Sequence, residues 1–320
     1  WFLMFFFYKF FPLVTVKRIS NDKLTSLVLN VIISIFFLTV IYISWRYTGF
    51  RVTFNLFNVY DLRSEALAFQ LPAVIDYIYS ASRAINPVLL IYFLVMKKYH
   101  SAAFVFVIQI FSFSINGSKT VMFTTIIAIL IYIFYKSKYK KAFVWFLAIL
   151  CSISILENVV YKGIFILAFL IRRVLFLPNL LNSYYFDFFE ANPPDYLSQS
   201  FLRHFGLESN YISIDNMIGM IYFNQPDMGA NNGLISDAMA NFGELGVLLY
   251  PLLIVITLRF MDLSTKGLDQ RVFVISAVTI SFIFISSFYF TILFTHGLFA
   301  LVIVLFLLPR KQKVSKNGGE

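Results

Sequence analysis

Seven arginines lie outside the lysine-rich stretches of this chain: Arg46, Arg51, Arg63, Arg83, Arg172, Arg173 and Arg203. A guanidinium is a planar fork that grips phosphate through two parallel hydrogen bonds and tolerates partial loss of water, so this set suits phosphate or pyrophosphate binding. The competing role is pairing with nearby acids or with lipid headgroups. Arg63 stands between Asp61 and Glu65, and Arg172 and Arg173 interrupt an apolar run at 161–181, YKGIFILAFLIRRVLFLPNLL. Directly after it, 182–190 reads NSYYFDFFE. Aromatic rings such as Tyr184 and Tyr185 beside a carboxylate such as Asp187 hold sugars by stacking and by hydroxyl hydrogen bonds. The same residues also make up the ordinary aromatic belt of a membrane surface. Three side chains offer a base for a hydroxyl proton: His204, Asp237 and His296. For Asp237 the alternative is a cap on the helix that follows it. No Asp-x-Asp occurs, and His100, His204 and His296 have no metal-ligand spacing, so no metal site is expected.

The elements that must position these residues are membrane helices. Of 320 residues, 60% are apolar and only 13% charged. A soluble domain carries roughly 25% charged residues, so this chain has too little polar surface to cover itself in water. Soluble enzymes, secreted disulfide scaffolds and disordered tails are excluded together. The apolar residues run continuously instead of alternating, which excludes a β-barrel. The expected fold is all-α, a polytopic integral membrane protein with about nine spans, near 1–16, 24–45, 83–96, 101–115, 119–135, 142–157, 239–258, 272–289 and 291–308. Trp1 opens in mid-run and reads as the tail of a spanning helix in an N-terminally truncated chain. Cys151, inside an apolar run, reads as an inert buried thiol. Gly243 and Gly246 read as close-packing positions within a span.

Basic residues orient the spans. The connections 17–23, 97–100, 136–141 and 259–271 and the tail 310–320 carry 12 Lys and 4 Arg against 4 acids, which places them in the cytoplasm. The opposite side carries the seven arginines, with only Lys119 and Lys162 beside them, against 12 acids. The net charge of +10 is therefore a topology signal, and no nucleic-acid partner is expected. Two outer loops, 46–82 and 158–238, stand out within a single polytopic membrane domain covering 1–320. The second is too long to be structureless and is expected to hold short amphipathic helices. Its 161–181 run is expected to lie in the interface or to re-enter beside the bundle, because arginines facing lipid are costly.

Four motifs carry a resemblance. They are DLR at 61–63, NGSKT at 116–120 between two spans, RRVLFLP followed by YYFDFF in the long loop, and NNGLISDAMANFGELG at 231–246 leading into a span. In this order, over most of 27–308, the chain resembles the O-antigen and capsule repeat-unit polymerases of bacteria, the Wzy-type membrane glycosyltransferase family. The resemblance implies a metal-independent glycosyltransferase with no cofactor, working on the outer face of the bacterial cytoplasmic membrane. Its substrates would be polyprenyl-pyrophosphate-linked oligosaccharides. The growing glycan leaves its polyprenyl pyrophosphate and passes to the non-reducing-end sugar of a newly flipped repeat.

Charge builds on the departing pyrophosphate, and fixed arginines can stabilise it. On this reading Arg63, Arg172, Arg173, Arg203 and Lys119 are pyrophosphate contacts. Tyr184, Tyr185, Asp187 and Asn232 are sugar contacts, and His204, ahead of Asp237, is the catalytic base. The partners implied are lipid-linked oligosaccharides, membrane lipid, a flippase and a chain-length regulator. Two rivals share much of this chemistry: an O-antigen ligase handing glycan to a lipid A core, and a glycolipid flippase or transporter. A transporter should carry ionisable residues in mid-span and a symmetric hydropathy repeat. Apart from Lys9, the expected spans have almost no mid-span charge, and the polar residues cluster in the two outer loops. That favours surface chemistry.

Overall fold

Apolar runs with no water at their backbone must close their own hydrogen bonds, and this chain does so with helices. The computed structural model describes residues 2–12, 15–16, 22–53, 59–135, 142–163, 172 and 176–310, and among them all regular structure is helical. The order begins with α1 (Phe2–Phe10), α2 (Asp22–Thr48), α3 (Val59–Leu67), α4 (Ala73–Val95), α5 (Tyr99–Asn116) and α6 (Lys119–Phe134). It continues with α7 (Ala142–Tyr161), α8 (Leu177–Ala191), α9 (Ile214–Phe223), α10 (Leu234–Phe242), α11 (Glu244–Thr265), α12 (Gln270–Ser286) and α13 (Leu298–Leu307). A 3-10 turn lies at Phe201–Phe205 and a π turn at Thr291–Thr295. Among the described residues four helices are long and apolar enough to cross a membrane: Lys23–Thr48 of α2, then α4, α5 and α11. The chain is a helical membrane protein. Shorter apolar helices are α6, Cys151–Tyr161 of α7, α12 and α13.

Several expected boundaries move. The run 239–258 is not one helix: Gly243, at φ +58°, separates α10 from α11, and Gly246 lets α11 start against the backbone of Ala238. The run 291–308 divides at Gly297, and the helix expected from 83 begins at Ala73. In the first two cases an apolar count ran across a break that only the backbone conformation reveals, and in the third the more polar turns after Pro72 continue the same helix. Cys151 is exposed on α7, not buried. The basic run 136–141 and most of 161–181 lie outside the described residues.

The chain divides into two compact units. One comprises Pro12–Tyr132, Thr257–Val278 and Gly297–Glu320. In it α4 packs on α2, α5 and α13, α2 packs on α5, and α3 covers α5. A core of Val40, Ile43, Tyr79, Ile108 and Ile115 holds α2, α4 and α5 together. Within this apolar interior the Asn86 amide donates to Gln109 Oε1 at 3.3 Å, and the Gln109 amide donates to Thr125 Oγ1 at 2.9 Å. This polar tie links α4, α5 and α6, and side-chain bonds of this sort fix helix register where no hydrophobic force between helices is available.

The ends of this unit sort the connections. At one end the Tyr92 hydroxyl donates to the Pro309 carbonyl at 3.0 Å, and the Arg310 guanidinium donates to the carbonyls of Ser264 and Lys266. Arg271 lies over the Tyr132 ring at 5.2 Å. Tyr92 of α4, Tyr132 of α6, the connection 259–271 and Pro309–Arg310 are thereby tied together at this end. At the other end the Thr53 N–H donates to Ser114 Oγ at 3.0 Å, and Gly117 lies against the backbone of Val59. Gly297, the residue before α13, lies against Ala81 of α4. In the 46–82 loop the partner of Glu65 is Arg51. Their ion pair is two-pronged, Nη2 to Oε2 at 2.8 Å and Nη1 to Oε1 at 3.2 Å.

The second unit comprises Trp1–Phe11, Ile133–Ile256 and Thr279–His296. Here α8 packs on α9 and α10 around Leu181, Tyr185, Phe188, Ile218 and Met239, so the long loop is folded and holds short helices.

Gly297 gives a direct test of the first unit. Its φ is +76°, and a Cβ there would lie 2.5 Å from Ala81 Cα and Cβ, whereas Gly206, at φ +87°, has open space around it. Both alanine variants carry backbone strain, but only Gly297→Ala adds overpacking, roughly 1–3 kcal/mol. In detergent thermal unfolding, Gly297→Ala should melt clearly below Gly206→Ala; equal melting would remove the close approach.

Candidate functional site

The second unit gathers most of the residues singled out by chemistry. Helix α8 places a proline in its first turn and ends before Pro193 and Pro194. It is amphipathic: Leu181, Tyr185, Phe188 and Phe189 are buried, while Asp187 and Glu190, three apart, are exposed. Tyr184 on this helix stacks on Tyr222 of α9, with ring centroids 4.4 Å apart and planes 10° apart, and Phe223 meets Tyr184 edge-on at 5.5 Å. The Tyr222 hydroxyl donates to Asp187 Oδ2. Burial, with the bond to Asp187 adding to it, pushes the Tyr222 phenol up to about 12, so it stays a donor across the physiological range. The result is an aromatic pair beside an exposed carboxylate, able to take an apolar sugar face and its hydroxyls. Tyr222 was not visible as a partner in the sequence, although its place near the end of a short amphipathic segment, IDNMIGMIYF, is the signal that could have found it.

Two residues expected to touch sugar are internal instead. Tyr185 is fully buried and its hydroxyl donates to the Ala230 carbonyl at 3.2 Å. Asn232 is also buried, and its amide donates to the Pro178 carbonyl at 3.0 Å, to Asn182 Oδ1 at 2.9 Å and to Ser236 Oγ at 2.8 Å. Their side chains tie α8 to the start of α10. The reason is helical phase: Tyr185 and Tyr184 are adjacent in sequence and so lie on different faces of α8.

Asp237 is only 2% exposed. Its Oδ2 accepts the Tyr289 N–H at 2.5 Å and its Oδ1 accepts the Asn241 amide at 2.6 Å. It therefore caps a backbone turn far along the chain, not the helix that follows it. Burial pushes the Asp237 carboxyl up to about 7, against the bonds from Tyr289 and Asn241 that favour its charge. The Tyr250 hydroxyl is buried beside it without a well-formed hydrogen bond. Asn241, missed in the sequence, follows Asp237 at helical i, i+4 spacing; its own Oδ1 accepts the Leu197 N–H at 2.7 Å. The carbonyls of Ala240 and Asn241 accept the N–H groups of Asp195 and Tyr196 at 2.8 and 3.1 Å. Asp195, buried, then accepts from Ser209 Oγ at 2.6 Å and from the Gln199 N–H at 3.0 Å. This network folds the chain from Pro194 to α9 and presents the 3-10 turn on which Arg203 is exposed.

Chain comparison with known protein families, curated proteins and solved structures finds no match. The cations must therefore be weighed on their placement. Arg172 and Arg203 are exposed in this unit. Arg63, exposed on α3, and Lys119, half-buried at the first residue of α6, belong to the other unit. Arg173 and the side chain of His204 lie outside the described residues. Among the described residues no group of three His, Cys, Asp or Glu is placed to hold a metal ion.

One further pair was not anticipated. Ser287 Oγ lies 2.8 Å from His296 Nε2, across the turn whose Tyr289 N–H is held by Asp237.

A pH dependence follows from Asp237. Its folded pKa of about 7 exceeds the ordinary 3.8, so the unfolded chain ionises first as pH rises. Stability should be greatest below about pH 4, fall between about pH 4 and 7 by on the order of 4 kcal/mol, and level off above. Thermal unfolding across this range should show the fall in the native protein and a flatter profile in Asp237→Asn; parallel profiles would show that another group carries the dependence.

Proposed function

We propose that this protein is a repeat-unit polysaccharide polymerase of the bacterial cytoplasmic membrane, with about nine spans in this chain and the loops 46–82 and 158–238 on the outer face. The observation that carries the reading is the Tyr184–Tyr222 stack with its bound and exposed Asp187 carboxylate, on a folded loop of a helical membrane protein. In the same unit Arg172 and Arg203 present guanidinium groups at the surface. A sugar-type platform and phosphate-type cations on one unit suit a polyprenyl-pyrophosphate-linked oligosaccharide better than either would alone.

In this mechanism the aromatic pair and Asp187 hold a sugar of the lipid-linked repeat. Arg172, Arg173 and Arg203 of this unit are pyrophosphate contacts, as are, in the other unit, Arg63 and Lys119, and such guanidinium groups stabilise the charge that builds as the donor glycan leaves, so no metal ion is needed. The buried Asp237 supports the site and does not touch substrate, because both its oxygens are committed to internal donors. Flippase and chain-length regulator are the working partners.

Gene deletion in the native host decides the function. Surface glycan should collapse to single repeats that still reach the cell exterior, and the full-length gene should restore the ladder while Arg63→Ala restores it poorly. Long polymer stranded on polyprenyl pyrophosphate would instead indicate a ligase, and repeats trapped inside the cell a flippase. In vitro, polymerisation should survive strong chelation. Tyr222→Ala should raise KM for the lipid-linked repeat about five- to tenfold, the loss of a stacking contact worth ~1–1.5 kcal/mol, and an unchanged KM would strip the platform of its role.

A further inference from the structure

Asp237 is buried and engaged on both oxygens, so the base for the acceptor hydroxyl is sought among the histidines; the side chain of His204 lies outside the described residues, and His296 has a defined partner. We infer that Ser287 and His296 form the proton-transfer pair of this site, taking the proton of the acceptor sugar hydroxyl; this rests on the polymerase reading. Ser287 Oγ and His296 Nε2 are 2.8 Å apart, the separation at which a hydroxyl proton passes to an imidazole. Both side chains are half-buried, keeping surface open to a ligand.

The turn that joins them is built for this approach. It runs from the end of α12 through the π turn Thr291–Thr295, in which the His296 N–H reaches back to the Thr291 carbonyl at 2.8 Å. The wider π coil returns the ring towards Ser287, and such turns recur at functional sites. Two contacts hold the turn within the unit. Asp237 accepts the Tyr289 N–H, and the Phe288 ring, next to Ser287, meets Tyr185 edge-on with centroids 6.1 Å apart. Tyr185 thereby ties this turn to α8, the helix that also carries Tyr184 on another face.

The step balances without a cofactor. The acceptor oxygen bonds to the anomeric carbon of the donor glycan as the bond from that carbon to the pyrophosphate oxygen breaks, and the electron pair leaves with the pyrophosphate. The acceptor proton passes to Ser287 Oγ while the Ser287 proton passes to His296 Nε2. The imidazolium then releases it to solvent.

The test uses the full-length protein in nanodiscs with polyprenyl-pyrophosphate-linked repeats. His296→Ala should lower kcat by about 10²- to 10⁴-fold, and added imidazole should restore at least about tenfold of it. Ser287→Ala should lose turnover with KM unchanged and without imidazole rescue, whereas Ser287→Thr, which keeps the hydroxyl, should retain most of it. Normal turnover in His296→Ala, loss without rescue in a variant that melts like the native protein, or equal activity of Ser287→Ala and Ser287→Thr would each overturn the pair while leaving the polymerase reading intact. A native protein that extends no chain would overturn the polymerase reading itself and this inference with it.

Discussion

The Asp237 carboxylate, buried among uncharged groups, accepts a backbone N–H from Tyr289, 52 residues further along the chain. An unpaired buried carboxylate would be far too expensive, so the bonds from Tyr289 and Asn241 are conditions of its presence. Its neighbours follow from it. Asn241, oriented by Asp237, anchors Leu197, and the carbonyls at the end of α10 anchor Asp195 and Tyr196. One buried anion thereby fixes both the long loop and the turn after α12. Its elevated pKa shows how finely balanced that arrangement is near neutral pH.

The helical bundle obeys a different constraint. In an apolar surrounding helices gain little by burying more hydrocarbon, so their register depends on close approach and on internal hydrogen bonds. The chain from Asn86 through Gln109 to Thr125 provides such bonds, and the contacts of Gly117 and Gly297 provide the approach. Both glycines sit at turns, and a side chain at Gly297 would press on Ala81 of α4. The Arg51–Glu65 pair has a related effect: by engaging Glu65 it alters which acid is available to Arg63.

Surface chemistry and structural support are divided with some economy. Tyr184 and Tyr185 are adjacent, yet one stacks on Tyr222 and the other fills the core. Asp187 and Asp237 are both carboxylates, yet one is exposed and bound to a phenol while the other is sealed inside. The proposed polymerase uses the outward members of each pair to meet substrate and the inward members to hold them in place.

Composition and periodicity alone determined the helical, membrane-embedded class, because a chain so rich in apolar residues has no other way to satisfy its backbone. Helix breaks were beyond reach, because Gly243 within an apolar run looks the same whether it packs a helix or ends one. So were the roles of Tyr185, Asn232 and Asp237, the stacking of Tyr184 on Tyr222 and the meeting of Ser287 with His296. Residue type records what a side chain is able to do, but which face it occupies and what distant backbone it meets depend on helix phase and on contacts across many residues, and only the tertiary structure decides those.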